Sequence, residues 1–147
     1  MKVLIVEDDS FKLDALSRVM KRAGLDQVEV AKSLHAAMVM LEDDTFDFVV
    51  LDMAIPSHTS DVGAVDTYSQ PVGGLDVLLF LASGGRGERV AILTQYPTVE
   101  YDRRHVPLRE LARTLHNDGV TNVVSAILFS DKEEWERPLL SAMGVSN

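Results

Sequence analysis

The sequence predicts a doubly wound α/β fold built on a parallel sheet, and three observations carry that prediction. Short β-like runs alternate with amphipathic helical patterns along the chain, the pattern of successive βα units. The first run, Val3-Leu4-Ile5-Val6, is continuously apolar, as expected of a strand covered on both faces. Five such units fit within 147 residues, the size of one domain with a single sizeable core.

Each element has its own signal. After the first strand, Ser10 is placed to cap a helix whose stripe Leu13, Leu16, Met20 and Ala23 ends at Gly24. Val28 and Val30 alternate with polar neighbours as a short second strand, and Ser33 caps a second helix with Leu34, Ala37, Met38 and Leu41 on one face. Phe48-Val49-Val50-Leu51 is the third strand, with Asp52 at its carboxyl end. Gly73-Gly74 gives the turn into a third helix striped by Leu75, Leu78, Leu79 and Ala82. Val90 to Leu93 is the fourth strand, ending at Thr94, and Leu108, Leu111, Ala112 and Leu115 stripe a fourth helix closed by Gly119. Val123 to Phe129 is the fifth strand. Asp131 and Glu134 have capping-box spacing for a final helix, which Pro138 either kinks or marks at its first turn. The irregular stretch Ser57 to Val72 is an inserted loop after the third strand, of a length that is often functional. Residues 1–147 are therefore expected to form a single domain, with the insertion at about 57–72 and no output region.

Composition narrows the function. Apolar residues make up 46% and charged residues 25%, an ordinary globular mix. No apolar run approaches the roughly 20 residues needed to cross a bilayer, and the start of the chain is too short in apolar residues for a secretion signal. A cytoplasmic location without membrane contact is the default expectation. The absence of cysteine excludes disulfides, thiolate metal sites and cysteine nucleophiles. A net charge of −9 argues against a nucleic-acid-binding face, which needs Lys and Arg to neutralise phosphates.

In open α/β sheets ligands bind beyond the carboxyl ends of the strands, where strand order reverses. Glu7-Asp8-Asp9, Asp52 and Thr94 end the first, third and fourth strands there. In the flavodoxin-like order 2-1-3-4-5, with helices on both faces, the first and third strands are neighbours and their acids converge. Like charges so packed repel unless a cation joins them, and oxygen ligands alone favour Mg²⁺ or a similar hard ion. Asp52 is then placed to act as a carboxylate nucleophile toward a phosphoryl group. Capping of the next helix explains Asp8, Asp9 and Ser10 equally well; it does not explain Asp52, which follows a buried strand and precedes no helix start.

These residues bring out a family resemblance. Val3-Leu4-Ile5-Val6-Glu7-Asp8-Asp9-Ser10 resembles the opening of response-regulator receiver domains of the CheY-like kind. Phe48-Val49-Val50-Leu51-Asp52-Met53-Ala54-Ile55-Pro56 resembles the family's phosphorylation strand, including the proline four residues after the aspartate. Ile92-Leu93-Thr94 is similar to the strand ending in a switch hydroxyl. The resemblance implies that Glu7, Asp8, Asp52 and the backbone carbonyl of Ala54 hold Mg²⁺, that Asp52 accepts the phosphoryl group, and that Thr94 turns its hydroxyl toward it; Asp9 is a bystander. It implies a stand-alone receiver that takes phosphate from a phosphohistidine donor, either a sensor histidine kinase or a phosphotransfer protein. Such a receiver signals to a downstream protein through its last two helices and fifth strand, with homodimerisation left open, and it is a phosphoacceptor rather than an enzyme.

The sequence also departs from the family. The usual Lys-Pro after the fifth strand is missing from Ala126-Ile127-Leu128-Phe129-Ser130-Asp131-Lys132. Lys132 is the nearest candidate, although its place at the expected start of the last helix better fits a solvated residue. Gln95 stands where a small residue is usual, and a bulky side chain there is placed to shield the site in part from water or from a partner. His58 reads as a loop residue rather than a ligand, Tyr96, Tyr101 and Arg103-Arg104-His105 as a solvated cluster or docking surface, and Trp135 as a core or interface anchor. The missing lysine and Gln95 favour an alternative, a phosphorylation-independent pseudo-receiver acting as a binding module. A haloacid-dehalogenase-like phosphatase needs a second aspartate where Ala54 stands, and a flavodoxin-like nucleotide site is opposed by the acids after the first strand.

Overall fold

The computed structural model describes residues 1–58 and 73–145. Its main sheet has five parallel strands: β1 (Lys2–Val6), β2 (Gln27–Ala31), β3 (Phe48–Leu51), β4 (Arg89–Thr94) and β7 (Val123–Leu128), in the order β2-β1-β3-β4-β7. This is the expected order, with β7 as the fifth strand of the sheet. Two further strands, β5 (Thr98–Tyr101) and β6 (Arg104–Pro107), pair antiparallel as a hairpin between β4 and the fourth helix.

Strand periodicity explains the layers. Val3 and Ile5 of β1, with Phe48 and Val50 of β3, face a core that includes Leu16, Val19 and Met20 of α1 (Ser10–Arg22) and Leu139, Leu140 and Met143 of α5 (Glu136–Met143). Leu4 and Val6, with Val49 and Leu51, face the opposite core. There they meet residues of α2 (Leu34–Asp43), α3 (Gly73–Ser83) and α4 (Leu108–Asn117). Successive strand side chains point to opposite faces, so a run covered on both sides must be apolar throughout. Each fully buried Leu or Ile contributes about 1.5–3 kcal/mol, and both faces draw on that term.

Four expectations are corrected. Asp9, not Ser10, caps α1: its backbone is extended and its Oδ1 accepts from the amides of Phe11 (2.8 Å) and Lys12 (3.2 Å). A carboxylate at that position accepts two free amides and suits the positive helix end, so it displaces the serine hydroxyl. The last helix has no Asp131–Glu134 capping box; a 3₁₀ turn over Glu133–Trp135 precedes α5, with no side-chain cap. Pro138 is the third residue of α5, within the first turn, where its missing N–H costs nothing. Leu79 is 46% exposed, the buried stripe of α3 running instead through Val77, Leu78 and Leu81. The fifth strand of the sheet stops at Leu128, one residue short of Phe129.

The β5–β6 hairpin turns through Asp102 (φ 53°) and Arg103 (φ 61°), two consecutive left-handed residues. A two-residue turn of this hand normally carries Asn-Gly or Asp-Gly, and Asp-Arg hides the signal. Long-range packing holds it: Val99 and Val106 are buried in the α2–α4 core, and the Tyr101 hydroxyl donates to Asp118 Oδ2 at 2.6 Å. That hydrogen bond pushes the phenol up to about 12. Tyr101 and Arg103-Arg104-His105 thus belong to a folded hairpin.

At the amino ends of the strands, Arg86 clamps the sheet to α2. Its guanidinium donates to Glu88 Oε1 (3.0 Å) and Oε2 (2.5 Å) and to the carbonyls of Leu41 and Asp44. Glu88 also accepts from the amide of Phe46 at 3.1 Å. No helix among the described residues is long and apolar enough to cross a membrane. The expected insertion at 57–72 falls, for 59–72, outside the described residues.

Candidate functional site

The parallel register brings the acids together. Val6 pairs with Leu51, so the next residues, Glu7 and Asp52, leave adjacent strand tips side by side. The Asp52 amide donates to the Val6 carbonyl at 3.0 Å and the Glu7 amide to the Ala31 carbonyl at 2.9 Å, which continues the sheet by one rung on each side. Glu7, Asp8 and Asp52 each offer a carboxylate oxygen within 4.8 Å of the other two. Glu7 and Asp52 are buried, at 1% and 3% exposure, while Asp8 reaches solvent.

Backbone amides fix the carboxylates in place. Glu7 Oε2 accepts from the amides of Asp8 (3.2 Å) and Asp9 (3.1 Å), and Asp52 Oδ1 accepts from the amide of Ala54 (3.1 Å). Gly74 makes the turn after Asp52 possible. A Cβ there would lie 2.5 Å from Met53 Cα and 2.7 Å from the Asp52 carbonyl, so only glycine lets α3 approach this closely. Gly73-Gly74 therefore opens α3 itself instead of preceding it.

A cation that the strand-end pattern does not point to also reaches the acids. Lys12, in the first turn of α1, is 1% exposed. Its Nζ lies 2.6 Å from Glu7 Oε1 and 3.3 Å from Asp52 Oδ2, and it donates to Gln95 Oε1 at 3.1 Å. The face of Phe129 stands 5.7 Å from the same nitrogen. The available signal was helical phase: Lys12 lies four residues before Leu16 and so on its buried face, which is an unusual place for a lysine. Lys132 is exposed, and its Nζ makes no ion pair among the described residues. Gln95 is exposed and its Oε1 accepts from Lys12.

The remaining candidates divide. Thr94 is buried at the tip of β4, its Oγ1 accepting from the Tyr96 amide at 3.3 Å. Ala54 lies half-buried in the turn after β3. His58 stacks on His35, ring centroids 5.3 Å apart, and is not part of the carboxylate group. Trp135 is buried against Phe129, with centroids 5.1 Å apart.

Burial, and then charge crowding, perturbs the acids. Burial pushes the Glu7 carboxyl up to about 7, Lys12 opposing and the facing Asp52 adding to the rise. Asp8 is also raised, first by lost hydration and then by the charges of Asp52 and Asp9. Such a cluster is short of positive charge, the condition under which a hard divalent ion is bound. The donors are all oxygens, and their spacing is compatible with a shared ion after small side-chain adjustments.

Comparison with known proteins agrees with this arrangement. Residues 3–102 match the family model of the response regulator receiver domain. The chain is 31% identical over 142 residues to the Detocs response regulatory protein DtcB of Vibrio alginolyticus, covering 92% of this chain and 94% of that protein. It is 32% identical over 104 residues to the probable transcriptional regulatory protein SilR of Salmonella typhimurium, covering 69% of this chain and 38% of that protein. Among solved structures, a CheY-like receiver domain protein from Methanospirillum hungatei superposes with a TM-score of 0.65 at 19% identity, covering 97% of this chain and 90% of that one. The response regulator TrrA from Thermotoga maritima, solved in complex with Mg²⁺ and BeF, gives 0.61 at 16% identity, covering 97% of this chain and 99% of that one. With the acid-tipped strands, the sheet order and the family match in agreement, the chain belongs to the response regulator receiver domain family.

Proposed function

We propose that this receiver accepts a phosphoryl group on Asp52 from a phosphohistidine donor, with Mg²⁺ held by Glu7, Asp8, Asp52 and the Ala54 carbonyl. The observation that carries the reading is the convergence of three carboxylates from two strand tips around a buried, backbone-anchored aspartate. A carboxylate oxygen of Asp52 forms a bond to phosphorus while the P–N bond of the donor breaks. The electron pair goes to the imidazole nitrogen, and a proton from solvent leaves the donor histidine neutral. When bound, the ion screens the charge of the incoming phosphoryl oxygens. The chain supplies the rest: the Ala54 amide holds Asp52 Oδ1, which leaves Oδ2 toward Lys12, and buried Thr94 offers a hydroxyl at the neighbouring strand tip. A sensor histidine kinase or phosphotransfer protein is the donor, and a downstream protein reads the product.

The pseudo-receiver reading is favoured by one observation, that Lys12 already pairs two of the three acids. The two are separated by incubating the protein with acetyl phosphate and Mg²⁺ and measuring bound phosphate by intact mass. Asp52 phosphorylation requires uptake that disappears with EDTA and falls at least about 100-fold in Asp52→Asn, as expected when a nucleophile is removed. Uptake that survives in Asp52→Asn, or none in the wild type, removes the phosphoacceptor reading.

A further inference from the structure

We infer that Lys12 is the tethered cation of this site: it occupies the acids when no divalent ion is bound, gives up Glu7 when one enters, and pairs with the phosphoryl group on Asp52. This rests on the phosphoacceptor reading above and names the residue that serves it from α1.

An ammonium has three N–H donors, and three oxygens meet the one on Lys12: Glu7 Oε1, Asp52 Oδ2 and Gln95 Oε1. Two of these belong to the group of acids that offers a metal site. A divalent ion drawing on the same carboxylates therefore competes with Lys12 for their charge. The side chain is long enough to yield without unfolding α1, since its backbone is fixed separately by the Asp9 cap. Gln95 gives Nζ a partner that is not a metal ligand, so the ammonium keeps one contact when Glu7 turns to the ion.

Phosphorylation changes the charge balance in the direction that favours Lys12. The carboxylate of Asp52 carries one negative charge, whereas its acyl phosphate carries two on the phosphoryl oxygens. Lys12 already stands 3.3 Å from Asp52 Oδ2. No other lysine or arginine among the described residues is ion-paired to Asp52. Lys132, which follows the fifth strand of the sheet, is exposed. Phe129 packs between Lys12 and the buried Trp135, so a move of the ammonium changes the surroundings of the chain's single tryptophan.

The inference predicts opposite changes in two quantities for one substitution. In Lys12→Gln, Mg²⁺ measured by calorimetry at pH 8 binds about tenfold more tightly or better, because the competing cation is gone. In the same variant, phosphate uptake from acetyl phosphate slows about tenfold or more. Lys12→Arg keeps both values within a few-fold of wild type, and Lys132→Gln leaves both unchanged. A merely structural Lys12 would weaken or leave unchanged Mg²⁺ binding in Lys12→Gln, and that result overturns the inference. If Lys12→Gln does not fold, the wild-type ammonium resonance of Lys12 decides: Mg²⁺ must shift it, and a resonance unmoved at saturating Mg²⁺ refutes the proposal. The two readings fail separately. Uptake insensitive to Asp52→Asn sinks the phosphoacceptor reading, whereas Asp52-dependent uptake equally fast in Lys12→Gln sinks only the role of Lys12.

Discussion

The two ends of the sheet each bury a glutamate against a cation, and the two pairs behave in opposite ways. At the amino ends, Glu88 has a forked Arg86 across both oxygens and a backbone amide besides. Burial alone would raise its pKa, but the Arg86 hydrogen bonds and the Phe46 amide outweigh it and hold the carboxyl below its ordinary value. At the carboxyl ends, Glu7 is as deeply buried, yet its cation is shared with Asp52 and its pKa rises to about 7. The difference lies in charge count. One acid to one cation is a closed arrangement that ties strand to helix, whereas three acids to one lysine leave a deficit for something else to fill. A perturbed group in an unfilled cluster is a better pointer to function than a buried ion pair as such.

The largest difference between the two ends is expected at Glu88. Removing one partner of a buried pair leaves the other uncompensated, so Glu88→Ala is expected to destabilise by about 3–4 kcal/mol. The partial exposure of Arg86 keeps the figure at the lower end of the usual range. Glu7→Gln at pH 8 is expected to cost less than about 1 kcal/mol or to stabilise, because it removes a charge that opposes Asp52 while Lys12 keeps Asp52 as its partner. Urea unfolding of the two variants checks both, and equal losses would show that the two ends are built alike.

The two ends also respond oppositely to pH. Glu7 binds its proton more tightly in the fold, at about 7, than at the ordinary 4.5. Below 4.5 it is protonated whether folded or not and carries no penalty; as pH climbs toward 7 the unfolded chain releases its proton first, and the fold loses stability. The groups facing it are Asp8, Asp52 and Lys12. Wild type minus Glu7→Gln should therefore fall by up to about 3 kcal/mol across that window. Glu88, held below its ordinary value, works the other way: its contribution is present above the ordinary range and lost as pH drops. A wild-type-minus-Glu7→Gln difference that is flat or rises between pH 4.5 and 7 contradicts the assignment.

Much of this was legible in the residues. Apolar runs fixed both faces of the sheet, and Glu7, Asp8 and Asp52 were placed together by strand ends alone, because parallel register puts equivalent tips side by side. Three features were not legible, each for a physical reason. The hairpin after β4 uses Asp102-Arg103, whose left-handed backbone is held by distant packing of Val99 and Val106 rather than by turn chemistry. The cap of α1 is hidden because Asp8, Asp9 and Ser10 all suit the position, and only the extended backbone at Asp9 selects it. Lys12 is hidden because a lysine near a helix start looks solvated, and only its phase relative to Leu16 says otherwise. Strand-end position singles out Lys132, while the fold delivers a cation from α1. Local patterns specify elements, but a charge partner is specified by the space between them.

Glycines at the two ends give the smallest and most discriminating test. Gly74 is enclosed: an added Cβ would meet backbone at 2.5 and 2.7 Å, in the residues that carry Asp52. Gly87, next to the Arg86–Glu88 clamp, has nothing within 4 Å of the same position and needs no left-handed backbone. Gly74→Ala is expected to cost about 1–2 kcal/mol, since a backbone neighbour cannot rotate away as a side chain can. It should also slow phosphate uptake about tenfold by moving the Asp52 carbonyl and the strand tip with it. Gly87→Ala should lie within about 0.5 kcal/mol of wild type, on the stabilising side, because it only restricts the unfolded chain. Thermal unfolding and acetyl phosphate uptake on the pair decide the matter. If Gly74→Ala loses stability but keeps full uptake, then α3 supports the fold without positioning Asp52, and the site's geometry rests on the β1 and α1 side alone.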